Sequence, residues 1–351
     1  MKDLDKYRGC LIGGAAGDAL GYAVDGMSED AIFTKYGPAG ITEYDMLGKS
    51  AQISAATQMT LFTAKGILLA PAPGKSDRIL GEYRVYTARA MADWVATQKM
   101  DWPIDTSSTV TYTDLVNIPE LFSRRSPEPT TMEAIGSGDI GRIEEPINDS
   151  KECGGVVRVA PVGLYFGRSL LLPSDKADAV GAHIAAVTHG HQMGYVPAAV
   201  YAHMIRRIVH EGADIAESAV SGVEMAKRMF PEAYMMPYFE GLIERALELA
   251  EAAKRGETED GAAINALGGA VSAEQALAAA VYCAVRYDGD IDKALIAAVN
   301  HGGSSCAAGT ITGSILGAKA GLSGIPVKYL GDLELAGLII GVADDMYKYG
   351  L

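Results

Sequence analysis

The placement of glycine limits this chain more than any other feature. Between Asp5 and Asp25, Gly13, Gly14, Gly17 and Gly21 sit among Cys10, Leu11, Ala15, Ala19 and Leu20, a run that reads as a buried helix with a glycine surface. Glycine costs about 1 kcal/mol per helical position relative to alanine. A helix holding this many is therefore approached closely by something. A second stretch of the same character, His301-Gly302-Gly303-Ser304-Ser305-Cys306-Ala307-Ala308-Gly309-Thr310-Ile311-Thr312-Gly313, lies between two alanine-rich helical segments. A third is Ile53-Ser54-Ala55-Ala56-Thr57-Gln58-Met59-Thr60. These two read as helix starts whose small side chains admit a backbone or a ligand, and neither carries an acid.

Asp18, in the middle of the first run, needs a partner if it is buried. It reads either as a capping or ion-pairing acid or as a site residue.

The remaining chain reads as helix after helix. Residues 28–36 form a short helix ended by Gly37-Pro38, and Ser54 caps a helix through Leu68 that Pro71-Ala72-Pro73-Gly74 closes. Further helical spacing covers 76–95, 174–187, 196–211, 221–229, 238–254, 272–287, 290–300, the second glycine-rich stretch to Gly321, and 334–347. From Lys99 to Pro146 the composition turns to Ser, Thr, Pro and Gly, interrupted by short helices over 117–123 and 131–137; loops this long are often functional. No stretch reads as β and no repeat of fixed period is present, so the expectation is an all-α globule with its site at converging helix ends.

Composition excludes several functions. With 351 residues, 49% of them hydrophobic, the chain can bury a large core, read here as one domain. Its net charge of −14 and lack of any dense Lys/Arg run exclude duplex nucleic acid and anionic membrane as partners. The cysteines Cys10, Cys153, Cys283 and Cys306 form no CxxC pair, so they read as free thiols of a reducing cytosol. No apolar run approaches the roughly 20 residues of a membrane helix, and the expected location is cytoplasmic.

Two loops carry candidate chemistry. Gly154 and Gly155, before the apolar run Val156-Val157, offer backbone amides that cradle a ligand, with a simple Gly-Gly turn as the alternative. His189 and His191 stand two apart in Thr188-His189-Gly190-His191-Gln192. Without a third ligand nearby they read as hydrogen-bonding histidines rather than a metal pair.

Five motifs in order then carry a resemblance: Arg8 to Gly21, Ser54 to Ala64, Asn148 to Phe166, Thr188 to His191, and Asn300 to Gly317. Together with the closing Ile325-Pro326 to Asp345 segment they resemble the ADP-ribosylglycohydrolase family over nearly the whole chain, which implies one such domain over residues 1–351. The resemblance implies an all-α fold with a binuclear magnesium or manganese site that hydrolyses the glycosidic bond between ADP-ribose and an acceptor. In the family, a Ser/Thr-Asp-Asp segment and an Asp-x-Asp-Ser/Thr segment hold the metals. Carried over, the first falls on Ser54, Ala55 and Ala56 and the second on Ser304, Cys306 and Ala307.

Every carboxylate at those positions is missing. Mg²⁺ and Mn²⁺ are hard cations held by anionic oxygens, so the family cofactor is expected to be absent and its metal-dependent activity lost. Three readings follow. The first is a pseudoenzyme or repurposed member binding an ADP-ribosyl-like, nucleotide-sugar or other anionic ligand, with Gly154, Gly155, Val156, His189, Ser54, Thr57, Ser304 and Ser305 as its binding residues. The second is a metal-independent hydrolase of a ribosyl bond, with Asp18, Asp25 and Asp149 as the candidate carboxyls. Asp25 matches the position of a site-lining glutamate in relatives. The third is a structural or regulatory protein with a vestigial pocket. Helix N-termini stripped of carboxylates are expected to accept an anion over 54–57 or 304–308.

Overall fold

The computed structural model describes residues 3–46, 48–71, 79–167 and 173–351. Among them the chain folds as α1 (Leu4–Tyr22), α2 (Glu29–Tyr36), α3 (Ala55–Leu69), α4 (Ile79–Lys99), α5 (Pro129–Gly136), α6 (Gly154–Val157), α7 (Ala160–Tyr165) and α8 (Ser174–Ala185). It continues as α9 (Gln192–Arg206), α10 (Ile215–Met229), α11 (Met236–Lys254), α12 (Asp260–Ala266), α13 (Ala273–Arg286), α14 (Ile291–Val299), α15 (Ser305–Ala320) and α16 (Ala336–Tyr349). The described residues form no sheet; one isolated parallel bridge joins Ala51 to Leu333. The all-α expectation holds. No helix among the described residues is long and apolar enough to cross a membrane.

What approaches the glycine-rich α1 is the glycine-rich α15. A Cβ on Gly13 would fall 2.2 Å from the Gly313 carbonyl oxygen, on Gly17 2.0 Å from that of Gly309, and on Gly9 2.4 Å from that of Gly317. The contacts are reciprocal: a Cβ on Gly313 would lie 1.9 Å from the Gly13 oxygen. Partners descend along α15 as they ascend along α1, so the helices run antiparallel with backbone against backbone. Such proximity brings Cα–H groups to carbonyl oxygens and offsets the helix-propensity cost of the glycines. Every residue of α1 from Gly9 to Gly21, and of α15 from Ser305 to Ala318, is buried.

Several element boundaries differ from the periodicity. α10 begins six residues earlier than expected because Asp214 caps it, accepting from the Ala216 amide at 2.8 Å. α9 starts at Gln192, capped by His191 Nδ1 on the Met193 amide at 2.9 Å, and its expected last turn is a π-turn over Arg207–Glu211. The helix expected over 117–123 is two 3₁₀ turns, Asp114–Asn117 and Pro119–Phe122, because Pro119 interrupts it. α12 was not expected from spacing at all. The expected stop at 71–74 and the first residues of the helix expected from 76 lie mostly outside the described residues.

Candidate functional site

The glycine seam sets where the acids of α1 stand. Asp18 follows Gly17, and Asp25 lies just beyond the end of α1, so the register against α15 aims both at helix starts. Asp18 is fully buried and is spent on the start of α3. It accepts from the Ser54 hydroxyl at 2.5 Å, the Thr57 hydroxyl at 2.6 Å, and the Ser54 and Thr57 amides at 2.9 and 3.1 Å. Burial pushes its carboxyl upward against those donors. The capping alternative for Asp18 is the one the geometry matches.

Asp25 accepts from the Cys306 amide at 3.2 Å, at the start of α15. Burial raises its carboxyl too, opposed by the Cys306 and Ser305 donors. The other α3 amides are also taken, Ala55 N by the Arg125 carbonyl and Ala56 N by Ser54 Oγ. The helix-start amides offered to an anion by the sequence are thus largely engaged by the chain's own groups.

The two helix starts meet at a cavity of about 400 Å³ lined in part by Asp25, Ser54, Ala55, Ala56, Ser304, Cys306 and Ala307. Glu128, Glu152, Cys153 and Gly154 also line it. All six positions expected for the metal segments therefore share one wall. They present the Ser54 hydroxyl, already donated to Asp18, the Ser304 hydroxyl, the Cys306 thiol and three alanine methyls. Burial, with Asp18 and Asp25 nearby, pushes the Cys306 thiol well up, so it stays protonated. Among the cavity-lining residues there is no Lys or Arg.

Other expected residues sort by distance from this cavity. Ser305 is buried and donates to the Val299 carbonyl at 2.8 Å, and Thr57 is held by Asp18; neither lines the wall. Gly155 and Val156 are buried behind it in α6. Asp149 is exposed and does not line it, so Asp25 and Asp149 are not brought to opposite sides of this cavity.

Glu128 is the residue that sequence reasoning missed. Its carboxylate takes the Gly154 amide and the Thr131 hydroxyl, the latter at 2.6 Å, and its Oε2 lies 3.1 Å from His189 Nε2. A Cβ on Gly154 would sit 1.9 Å from Oε2, so only glycine lets this carboxylate settle on the start of α6. The fully buried Arg158 holds both flanking threonines, reaching Thr188 Oγ1 at 2.8 Å and Thr131 Oγ1 at 3.5 Å, while His189 Nδ1 meets Thr188 Oγ1 at 2.8 Å. Burial alone raises Glu128, but the neighbouring His189 imidazole and the Thr131 and Gly154 donors outweigh it and hold the carboxyl at about 2. The Gly154 amide, like the helix starts, is occupied by an internal carboxylate.

His301 organises the loop before α15 without touching the cavity. Its Nε2 lies 2.8 Å from the Ala298 carbonyl and its Nδ1 accepts from the Gly303 amide at 3.0 Å. Burial lowers its pKa from 6.5 to about 4, so the folded chain keeps it neutral where the unfolded chain takes a proton. The stability it contributes is complete above pH ~6.5 and is lost as pH falls toward 4, at ~1.4 kcal/mol per pH unit. A His301→Gln variant is expected to be less stable at neutral pH but to lose less between pH 7 and pH 4.5, measured by denaturant unfolding at both.

An all-α protein whose cavity lies where the start of α3 meets the start of the glycine-seamed α15 is the class that fold and site define. A family model for ADP-ribosylglycohydrolase matches residues 1–350. The chain belongs to the ADP-ribosylglycohydrolase family. It is 26% identical over 347 residues to an uncharacterized protein of Archaeoglobus fulgidus, covering 98% of this chain and 96% of that one. A solved structure of an ADP-ribosylglycohydrolase-related protein complex shares the fold, with a TM-score of 0.60, 20% identity and 99% of each chain covered.

Proposed function

We propose that this family member has lost the binuclear metal chemistry and kept the cavity to bind a ribosyl-type ligand without hydrolysing it. The observation that carries the reading is the donor set on the shared wall. Magnesium and manganese need several anionic oxygens. Serine hydroxyls, a protonated thiol and alanine methyls do not fit that need.

The same wall supports a revised view of the ligand. Amides expected to meet an anion are engaged by Asp18, Asp25 and Glu128, and the lining has no cation to meet a phosphate. What the cavity offers is acceptors. Asp25, Glu128 and Glu152 match the hydroxyl donors of a ribose, as acidic residues do for the ribose of dinucleotides, and the volume suits a small polar group. A diphosphate attached to such a ribose then lies outside, toward solvent.

Calorimetric titration with ADP-ribose tests this. Equal affinity in EDTA and in Mg²⁺ is expected, weakened about 10-fold by Asp25→Asn through loss of a charged hydrogen bond. Binding that needs Mg²⁺, or no binding in either buffer, contradicts the reading, the latter leaving a vestigial pocket.

One observation favours a second reading, a metal-independent glycosidase. Asp25 is pushed up by burial while Glu128 is held at about 2, and both line one cavity. Carboxyls driven apart in this way are the pattern of an acid and a base or nucleophile. Release of free ADP-ribose from a modified peptide in EDTA would establish this reading over the first.

A further inference from the structure

The two loop histidines lacked a third metal ligand within the local sequence. The fold supplies two from other segments. Glu128, Glu152 and His189 each direct a ligand atom to one place, all within 4.8 Å of one another.

The contact between Glu128 and His189 is unusual for a simple ion pair. His189 is fully buried, and its Nε2 has no hydrogen-bond partner although Glu128 Oε2 stands 3.1 Å away. A buried imidazole nitrogen left in that state is costly unless something sits on it. The other ring nitrogen explains how this arises. Thr188 Oγ1 receives Arg158 Nη2 at 2.8 Å and has the Ala185 carbonyl at 3.4 Å for its own proton, which leaves it free to accept from His189 Nδ1–H at 2.8 Å. In that tautomer the Nε2 lone pair faces a carboxylate oxygen.

Two lone pairs at this separation are the arrangement found around one bound cation. Bonds of about 2.0–2.2 Å from a zinc ion to nitrogen and oxygen, at tetrahedral angles, place neighbouring ligand atoms ~3.3 Å apart. The supporting groups are also those of a metal site. Thr188 orients the imidazole through Nδ1, the Gly154 amide and Thr131 hydroxyl fix Glu128, and Thr130 Oγ1 donates to Glu152 at 2.7 Å.

We propose that Glu128, Glu152 and His189 form a mononuclear site for a borderline divalent cation of the zinc class, built from residues other than those at the family's metal positions. One imidazole and two carboxylates neutralise the ion, and Glu128 and Glu152 line the cavity. Mixed nitrogen and oxygen donors select zinc over magnesium. Two of its ligands, Glu128 and Glu152, are also among the acceptors assigned above to a ribose, so the site is tested without any nucleotide.

The test is Zn²⁺ titration of the full chain by calorimetry, without any nucleotide, on the native protein and on Glu152→Gln. Glu152 is exposed, so this variant keeps the fold, which circular dichroism checks. One equivalent of Zn²⁺ is expected, bound at least 10-fold more weakly by Glu152→Gln, with a Zn²⁺-dependent rise in melting temperature in the native chain that shrinks in the variant. Glu128→Gln, which conserves shape, is expected to weaken binding at least as much. The absence of stoichiometric Zn²⁺ binding, or unchanged affinity in both variants, overturns the proposal.

Discussion

Gly313→Val is expected to lower the unfolding free energy by about 4 kcal/mol or more, at the upper end of what single substitutions do. The cause is backbone proximity. The added Cβ alone would lie 1.9 Å from the Gly13 carbonyl oxygen and 2.6 Å from its carbon. Neither atom belongs to a flexible side chain, so the helices must part, and the rest of the seam opens with them. Overpacking in an adaptable core costs about 1–3 kcal/mol; a rigid helix pair yields less. Separation of α1 from α15 also pulls Asp18 from the start of α3 and Asp25 from the start of α15, so any ligand affinity falls too. Gly241→Ala is the control. It lies on the exposed side of α11 with nothing within 4 Å of an added Cβ, and is expected to gain up to ~1 kcal/mol from helix propensity. Guanidinium unfolding followed by circular dichroism measures both.

Restoring the missing acids is expected to have the second large effect. In Ala55→Asp/Ala56→Asp/Ser304→Asp/Cys306→Asp, four carboxylates enter one cavity that already holds Asp25. In chelator their mutual repulsion destabilises the chain, because like charges at close range disfavour ionisation. Mn²⁺ reverses this. A ligand that binds only the folded state stabilises by RT ln(1 + [L]/Kd), about 2.7 kcal/mol at 100 Kd. The variant is therefore expected to melt below the native chain in EDTA and to recover in Mn²⁺, with Mn²⁺ affinity at these positions raised ~100-fold or more by ligand charge. The native chain is expected to show no such recovery from this wall. A variant indifferent to Mn²⁺ would mean that the backbone positions of the ligand segments have also moved.

Much of the fold was legible because its strongest device is local in sequence. The four-residue spacing of Gly9, Gly13, Gly17 and Gly21 marks one flat helix face, and Gly309, Gly313 and Gly317 mark another. Periodicity announces that each face is approached closely; it does not say by what. That the two faces meet each other is a tertiary fact, and it decides the role of Asp18 as a cap. α12 was missed because Asp260-Gly261-Ala262-Ala263 carries too few large apolar residues to show a period.

The site was legible in part, through the helix starts and the Gly154 loop. Ser54 to Ala56 and Ser304 to Ala307 stood out because a resemblance told where acids belong. Glu128 had no such signal. It lies between two prolines in Ser126-Pro127-Glu128-Pro129, within a polar stretch without period, and its partner His189 is 61 residues away. Nothing local marks a carboxylate that will fill an amide cradle. For the same reason the expectation of a free anion site at the helix starts left out Asp18, Asp25 and Glu128, which reach those amides from other segments.

The proposed function holds that the wall where the family resemblance places two metals does not support metal-dependent cleavage. Release of free ADP-ribose from an ADP-ribosylated arginine or serine peptide, followed for the native chain in Mg²⁺ and in EDTA, tests it most directly. The account predicts no release above the uncatalysed rate that depends on Mg²⁺. Release that appears with Mg²⁺ and disappears with EDTA would contradict it.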